Sequence, residues 1–174
     1  MRIQLEQIRF EPYRWSEVRS IPIERLDSSE VLNLGEVAWQ GEIRYADPGF
    51  RLIGSIEYEQ MVQCRRCLEP VAVPVRSELD LMIFIDRADV TPGEHQLGAS
   101  DLGVIYADSD VFDIESLLLE QIELGLPMSA LCRQECKGLC PGCGCNKNLQ
   151  ACDCDLGPRD PRWAGLARLK RELD

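Results

Sequence analysis

Nine cysteines share this chain with a single histidine, and their spacing constrains the fold more than any other feature. They fall as Cys64 and Cys67, then Cys132, Cys136, Cys140, Cys143 and Cys145, then Cys152 and Cys154. Two intervening residues let a tight turn aim a pair of thiolates at one ion, so Cys64-x2-Cys67 and Cys140-x2-Cys143 read as half-sites of tetrahedral metal centres. Completing the first requires stretches of chain far apart in sequence to meet.

A disulfide framework is the competing use of so many cysteines, and it suits small exported domains. Met1 to Phe10 interleaves Arg2, Glu6 and Arg9 with apolar residues, which is not the pattern of an export signal. An odd number of cysteines also fits complete pairing poorly. The longest apolar stretches are too short to span a bilayer. The expectation is a cytoplasmic protein, in a reducing compartment where thiols remain free to hold metal.

With 45% apolar residues among 174, the chain can bury one core and carry a small appended module. We expect an α+β protein with an antiparallel β-rich core over residues 1–131 and a cysteine-rich module with a terminal helix over 132–174. The formal charge of −11 is unevenly spread. Residues 132–174 carry eight Lys and Arg against six Asp and Glu, leaving eleven against twenty-four for residues 1–131. That acidic body is a poor general surface for RNA, whose binding rests on phosphate neutralisation. A basic patch at Arg159, Arg162, Arg168, Lys170 and Arg171 reads as a solvated helix face or, functionally, as a contact for RNA.

Ile3, Leu5 and Ile8 predict a short opening strand. Val37, Trp39, Gly41, Ile43 and Tyr45 alternate with polar or small residues up to the turn Asp47-Pro48-Gly49. Leu52, Gly54, Ile56, Tyr58, Gln60 and Val62 then share one face of a second strand, completing a β-hairpin. Beyond Cys64-Arg65-Arg66-Cys67, alternation resumes from Val71 to Ile85, so the first cysteine pair occupies a turn between strands. The result is an antiparallel meander or barrel-like core, since no helix lies between its strands. Asp86 to Asp110 reads as a loop with a short strand through Leu102 to Tyr106. Asp113 caps a helix over 113–125, whose Ile114, Leu117, Leu118 and Ile122 recur at helical spacing before Gly125 and Pro127 stop it. Asp160-Pro161 then starts a short terminal helix with an apolar stripe at Trp163, Leu166 and Leu169.

In Cys140-Pro141-Gly142-Cys143-Gly144, proline fixes one backbone angle and the glycines allow a tight turn with N–H groups close to sulfur, the signature of a zinc knuckle. Cys152 and Cys154, two apart on an extended segment, point the same way and supply the other half of that site. Cys64, Cys67, Cys132 and Cys136 make a second complete set, whose long intervening loop adds little closure entropy. Cys145 is then a spare, either a small residue or a substitute for a neighbour. An alternative grouping puts the six C-terminal ligand candidates, Cys132, Cys136, Cys140, Cys143, Cys152 and Cys154, on one ion or an iron–sulfur cluster and leaves Cys64 and Cys67 as a redox pair, although a strand follows them where a thioredoxin-like motif opens a helix.

Eight thiolates around two ions leave no open position for water, and His95 lies in a loop sequence without ligand spacing. No nucleophile elbow, phosphate-cradling glycine loop or acid–base constellation appears. The expectation is structural zinc, contributing about 10 kcal/mol or more to folding of its module, as in zinc-finger peptides.

Cys64-Arg65-Arg66-Cys67-Leu68, Glu135-Cys136-Lys137-Gly138-Leu139-Cys140-Pro141-Gly142-Cys143-Gly144, Cys152-Asp153-Cys154 and Asp160-Pro161-Arg162-Trp163 together resemble the bacterial and chloroplast YceD-like family, the large ribosomal RNA subunit accumulation proteins. The likeness spans almost the whole chain and is most specific in the C-terminal motifs. At Gly144-Cys145-Asn146 this chain departs from it, since the family more often has a small or apolar residue before the asparagine. The resemblance implies a non-enzymatic role in 23S rRNA accumulation or processing and in large-subunit assembly. It also implies partners such as a pre-ribosomal particle, a ribosomal protein or an rRNA-processing factor. A thiol oxidoreductase using Cys64 and Cys67, or a zinc-ribbon RNA binder, are the rival functions.

Overall fold

The computed structural model describes residues 1–85, 98, 102–154 and 162. The predicted terminal helix, His95 and the basic positions Arg159, Arg168, Lys170 and Arg171 lie outside the described residues. By its internal contacts the chain forms two compact units, Met1–Gln63 with Pro70–Ala130 and Cys64–Glu69 with Leu131–Asp174.

The first unit is built on a sheet of long strands. β1 (Arg2–Gln4) leads into a single helical turn, α1 (Leu5–Ile8), and then β2 (Tyr13–Arg19). A 3₁₀ turn (Ile23–Arg25) and β3 (Val31–Leu34) precede the hairpin of β4 (Val37–Ala46) and β5 (Gly49–Gln63). β6 (Pro70–Ile85), β7 (Val104–Ala107), β8 (Val111–Asp113) and α2 (Ile114–Leu124) complete it. The main sheet runs β2-β4-β5-β6-β7, with β3 pairing the far end of β5, while β1 and β8 form a separate two-stranded pair.

The expected hairpin and meander are present as β4-β5-β6, antiparallel and in continuous register from Ala46↔Gly49 to Gln63↔Pro70. The alternation read from the sequence places Leu52, Ile56 and Tyr58 of β5 on the buried face, which Phe50 joins. On that face Gly41 leaves room for the Trp15 indole, whose ring a Cβ there would meet at 2.5 Å.

Three expectations require correction. The sheet is open rather than barrel-like, with β2 and β7 at its two ends. Ile114, Leu117, Leu118 and Ile122 of α2 join the same core as the sheet and cover the face that closure would have buried. Not every pair is antiparallel: β7 adds to β6 in parallel, from Met82↔Val104 to Ile85↔Ala107. The connection over residues 86–103 has the dozen or more residues that a parallel crossover requires. Finally, Leu5 and Ile8 lie in α1 rather than in the opening strand; a spacing of three breaks strand parity and suits a helical turn, which buries both.

α2 follows its predicted signals. Asp113 caps it by accepting from the Glu115 N–H at 3.0 Å, and the helix ends before Gly125. Two polar groups of β5 fasten that end: the Tyr58 hydroxyl donates to the Ile122 carbonyl at 3.1 Å and Gln60 Nε2 donates to the Gly125 carbonyl at 2.9 Å. Burial raises the Tyr58 phenol to about 12. No helix among the described residues is long and apolar enough to cross a membrane.

Candidate metal centres

The second unit contains all nine cysteines, every one a free thiol. Cys64 and Cys67 occupy the turn between β5 and β6. The Cys64 N–H donates to the Glu69 carbonyl, and the Leu68 N–H donates to the Cys64 carbonyl, each at 2.9 Å. Leu68 adopts φ 62°, the left-handed conformation that lets the chain reverse after the second cysteine.

Cys132 and Cys136 meet this turn. Cys64 Sγ lies 3.8 Å from Cys136 Sγ, and Cys67 Sγ lies 3.6 Å from Cys132 Sγ. All four sulfurs fall within 4.8 Å of one another. Four thiolates at the usual zinc–sulfur distance of about 2.3 Å occupy a tetrahedron with an edge of about 3.8 Å, close to the two distances between these pairs, so the four could hold one ion.

The knuckle backbone repeats one device, in which an amide two residues past a cysteine donates to its sulfur. The Gly142 N–H does so to Cys140 Sγ at 3.4 Å, and the amides of Arg66, Glu69, Gly138 and Cys145 serve Cys64, Cys67, Cys136 and Cys143 in turn. Hydrogen bonds to sulfur favour the charged thiolate. Burial alone would push the Cys64 thiol up, yet the amides of Cys132, Cys67 and Arg66 bring it down to about 6. The amides of Cys143 and Gly142 bring Cys140 to about 6 as well. Cys132 moves the opposite way: burial and three adjacent thiols raise it to about 12. Sulfurs this crowded cannot all be anionic unless a cation offsets their mutual repulsion.

Three residues that sequence reasoning did not single out support the first group. The Arg66 guanidinium donates to the Cys136 carbonyl at 3.0 Å. Asn148 Nδ2 donates to Cys136 Sγ at 3.3 Å and to Asn146 Oδ1 at 2.8 Å, while Asn146 Nδ2 donates to Glu69 Oε1 at 3.2 Å. Their signal was the pair of asparagines two apart just after the knuckle, a residue type that bonds readily to nearby backbone.

The second group gathers Cys140, Cys143, Cys145 and Cys152, again with all sulfurs within 4.8 Å. Here the structure differs from the expected set of Cys140, Cys143, Cys152 and Cys154, because Cys145, taken as a spare, is among the four. Gly144 at φ 75° turns the chain, and the Cys140 N–H donates to the Cys145 carbonyl at 2.8 Å, which folds Cys145 back onto the knuckle. Cys154 remains in contact with the Cys140 and Cys143 thiols. Gly142 makes room for it, since a Cβ there would lie 3.1 Å from Cys154 Cβ and 3.4 Å from its sulfur.

A family model described as large ribosomal RNA subunit accumulation protein YceD matches residues 52–170, well over half of the chain. An uncharacterised protein of Mycobacterium tuberculosis is 32% identical over 127 residues, covering 70% of this chain and 56% of that protein. The chloroplastic large ribosomal RNA subunit accumulation protein YCED homolog 1 of Arabidopsis thaliana is 24% identical, over 71% of this chain and 45% of its own. The Zea mays protein of the same name is 27% identical, over 69% and 47%. The chain thus spans about half the length of the curated relatives it matches. No solved structure matches it.

Proposed function

Since the chain belongs to the YceD family of large ribosomal RNA subunit accumulation proteins, we propose that it is a non-enzymatic cytoplasmic factor supporting 23S rRNA accumulation or processing and large-subunit assembly, built around two structural zinc ions. Cys64, Cys67, Cys132 and Cys136 hold the first ion. Cys140, Cys143 and Cys152 hold the second, with Cys145 or Cys154 in the fourth position. Bound ions would cross-link the knuckle turns, and the amides and Asn148 around the sulfurs stabilise thiolate.

The observation that carries this reading is the gathering of the first four sulfurs within 4.8 Å of one another, two pairs of them 3.6 and 3.8 Å apart. Four thiolates complete a zinc coordination sphere, so the site offers no position for substrate water. Sulfurs gathered within 4.8 Å also favour a single ion over a cluster of several irons, which would hold them farther apart.

The partner is a pre-ribosomal particle, a ribosomal protein or an rRNA-processing factor, reached through protein contacts to the acidic body. A net charge of −11 supports docking to a basic protein over gripping RNA. Depleting the protein from its cells lowers the 23S to 16S rRNA ratio and accumulates unprocessed precursor; a normal large-subunit profile on depletion overturns the proposal.

One observation favours a redox reading, the Cys64 thiol at about 6. Against it, Cys64 is 0% and Cys67 3% exposed, whereas a reactive thiol must be reached by its substrate. Metal content and thiol reactivity of protein purified without chelator separate the two, since an oxidoreductase presents metal-free, reactive thiols at these positions.

A further inference from the structure

Five sulfurs converge on the second centre, where a tetrahedral ion takes four. The Cys145 sulfur lies within 4.8 Å of those of Cys140, Cys143 and Cys152. Cys154 comes in beside Cys140 at Gly142, where a Cβ would lie 3.4 Å from the Cys154 sulfur and 3.7 Å from the Cys140 sulfur. The two outer thiols reach the centre by independent routes. Cys145 arrives through the turn at Gly144 and the Cys140 amide bond to its carbonyl, while Cys154 arrives from the segment after the knuckle, over the bare face of Gly142. Both are partly exposed.

Resting on the zinc reading above, we propose that the second centre has an exchangeable ligand: Cys140, Cys143 and Cys152 stay bound, and Cys145 and Cys154 alternate in the fourth position. In each exchange the entering thiol gives up its proton and forms a sulfur–metal bond as the other sulfur–metal bond breaks and the leaving thiolate takes up a proton. Four thiolates and one thiol remain before and after, so charge balances. The consequence is a centre that keeps its ion when either outer thiol is modified.

The test uses the full chain loaded with zinc sulfate, treated briefly with iodoacetamide and mapped by peptide mass spectrometry, with zinc counted by elemental analysis. The expected result is two zinc ions and one adduct per chain, the adduct divided between Cys145 and Cys154. Cys145→Ser and Cys154→Ser should each keep both ions and lose the adduct. Gly142→Ala, whose Cβ would crowd Cys154, should move the adduct onto Cys154. An adduct confined to one cysteine in the unaltered chain, or either serine variant dropping to one ion, overturns the alternation while leaving two zinc sites intact. Fewer than two ions in the unaltered chain overturns the zinc reading and this proposal together.

Discussion

Asn148 spends both ends of its amide on the first cysteine group. Its Nδ2 donates to Cys136 Sγ, and its Oδ1 accepts from the Lys137 N–H at 2.9 Å and from Arg133 at 2.8 Å. A donor held on sulfur stabilises thiolate, and losing such a partner typically weakens metal binding 10- to 100-fold. Asn148→Ala should therefore weaken zinc binding at the first site by about that factor and leave the second unchanged, as competition with a chromogenic chelator would resolve. Two glycines provide a second comparison at this scale. Gly138, at φ 70°, would place a Cβ 2.9 Å from the Arg66 carbonyl oxygen, the acceptor for the Leu139 N–H. Gly144, at φ 75°, faces open space. Gly144→Ala should cost about 1 kcal/mol, the conformational penalty alone, and Gly138→Ala about 2 kcal/mol or more because a backbone contact must also give way. Urea unfolding of the zinc-loaded variants, followed by hydrogen exchange at Leu139, would order them.

Among the elements, α2 shows how local chemistry and sheet contacts divide the task. Its apolar stripe, cap and stop were all readable because each is a short-range signal. What lay outside the sequence pattern is the charge cluster at its start. The Met1 amine donates to Glu115 Oε2 at 2.7 Å and Arg25 Nη1 donates to Oε1, holding that carboxyl at about 2 instead of the ordinary 4.5. A carboxylate with a lowered folded pKa stabilises the fold above its unfolded value, and that support is withdrawn as pH falls toward 2. Carbon-detected NMR titration should place the Glu115 midpoint near 2, and Glu115→Gln should flatten the stability change between pH 4.5 and 2. β7 is the contrasting case. Nothing in Val104–Ala107 announces a parallel partner, because four residues with no clean alternation take their direction from the connection before them.

Considering the whole chain, removal of metal should affect the two units differently. The first has its own core, in which Trp39, Leu52, Ile56 and Ile122 are all buried. Among its described residues the only buried side chains of the second are those of cysteines, so their order should depend on the ions. Chelation under reducing conditions should abolish amide protection at Leu139 and Gly144 while Leu52 and Ile56 of β5 stay protected; loss of protection throughout would show that the sheet also depends on metal.

The alternation through β4, β5 and β6 and the short-range spacing of the cysteines were legible because side-chain direction along a strand or a tight turn is a property of the backbone alone. From these followed the meander and the turn carrying Cys64 and Cys67. The open edge of the sheet, the helical turn at Leu5–Ile8, the place of Cys145 and the grip of Asn148 on Cys136 came only with tertiary structure. Each depends on where a second stretch of chain, distant or folded back by a turn, comes to rest. That is decided by packing over the entire fold, which no local pattern encodes.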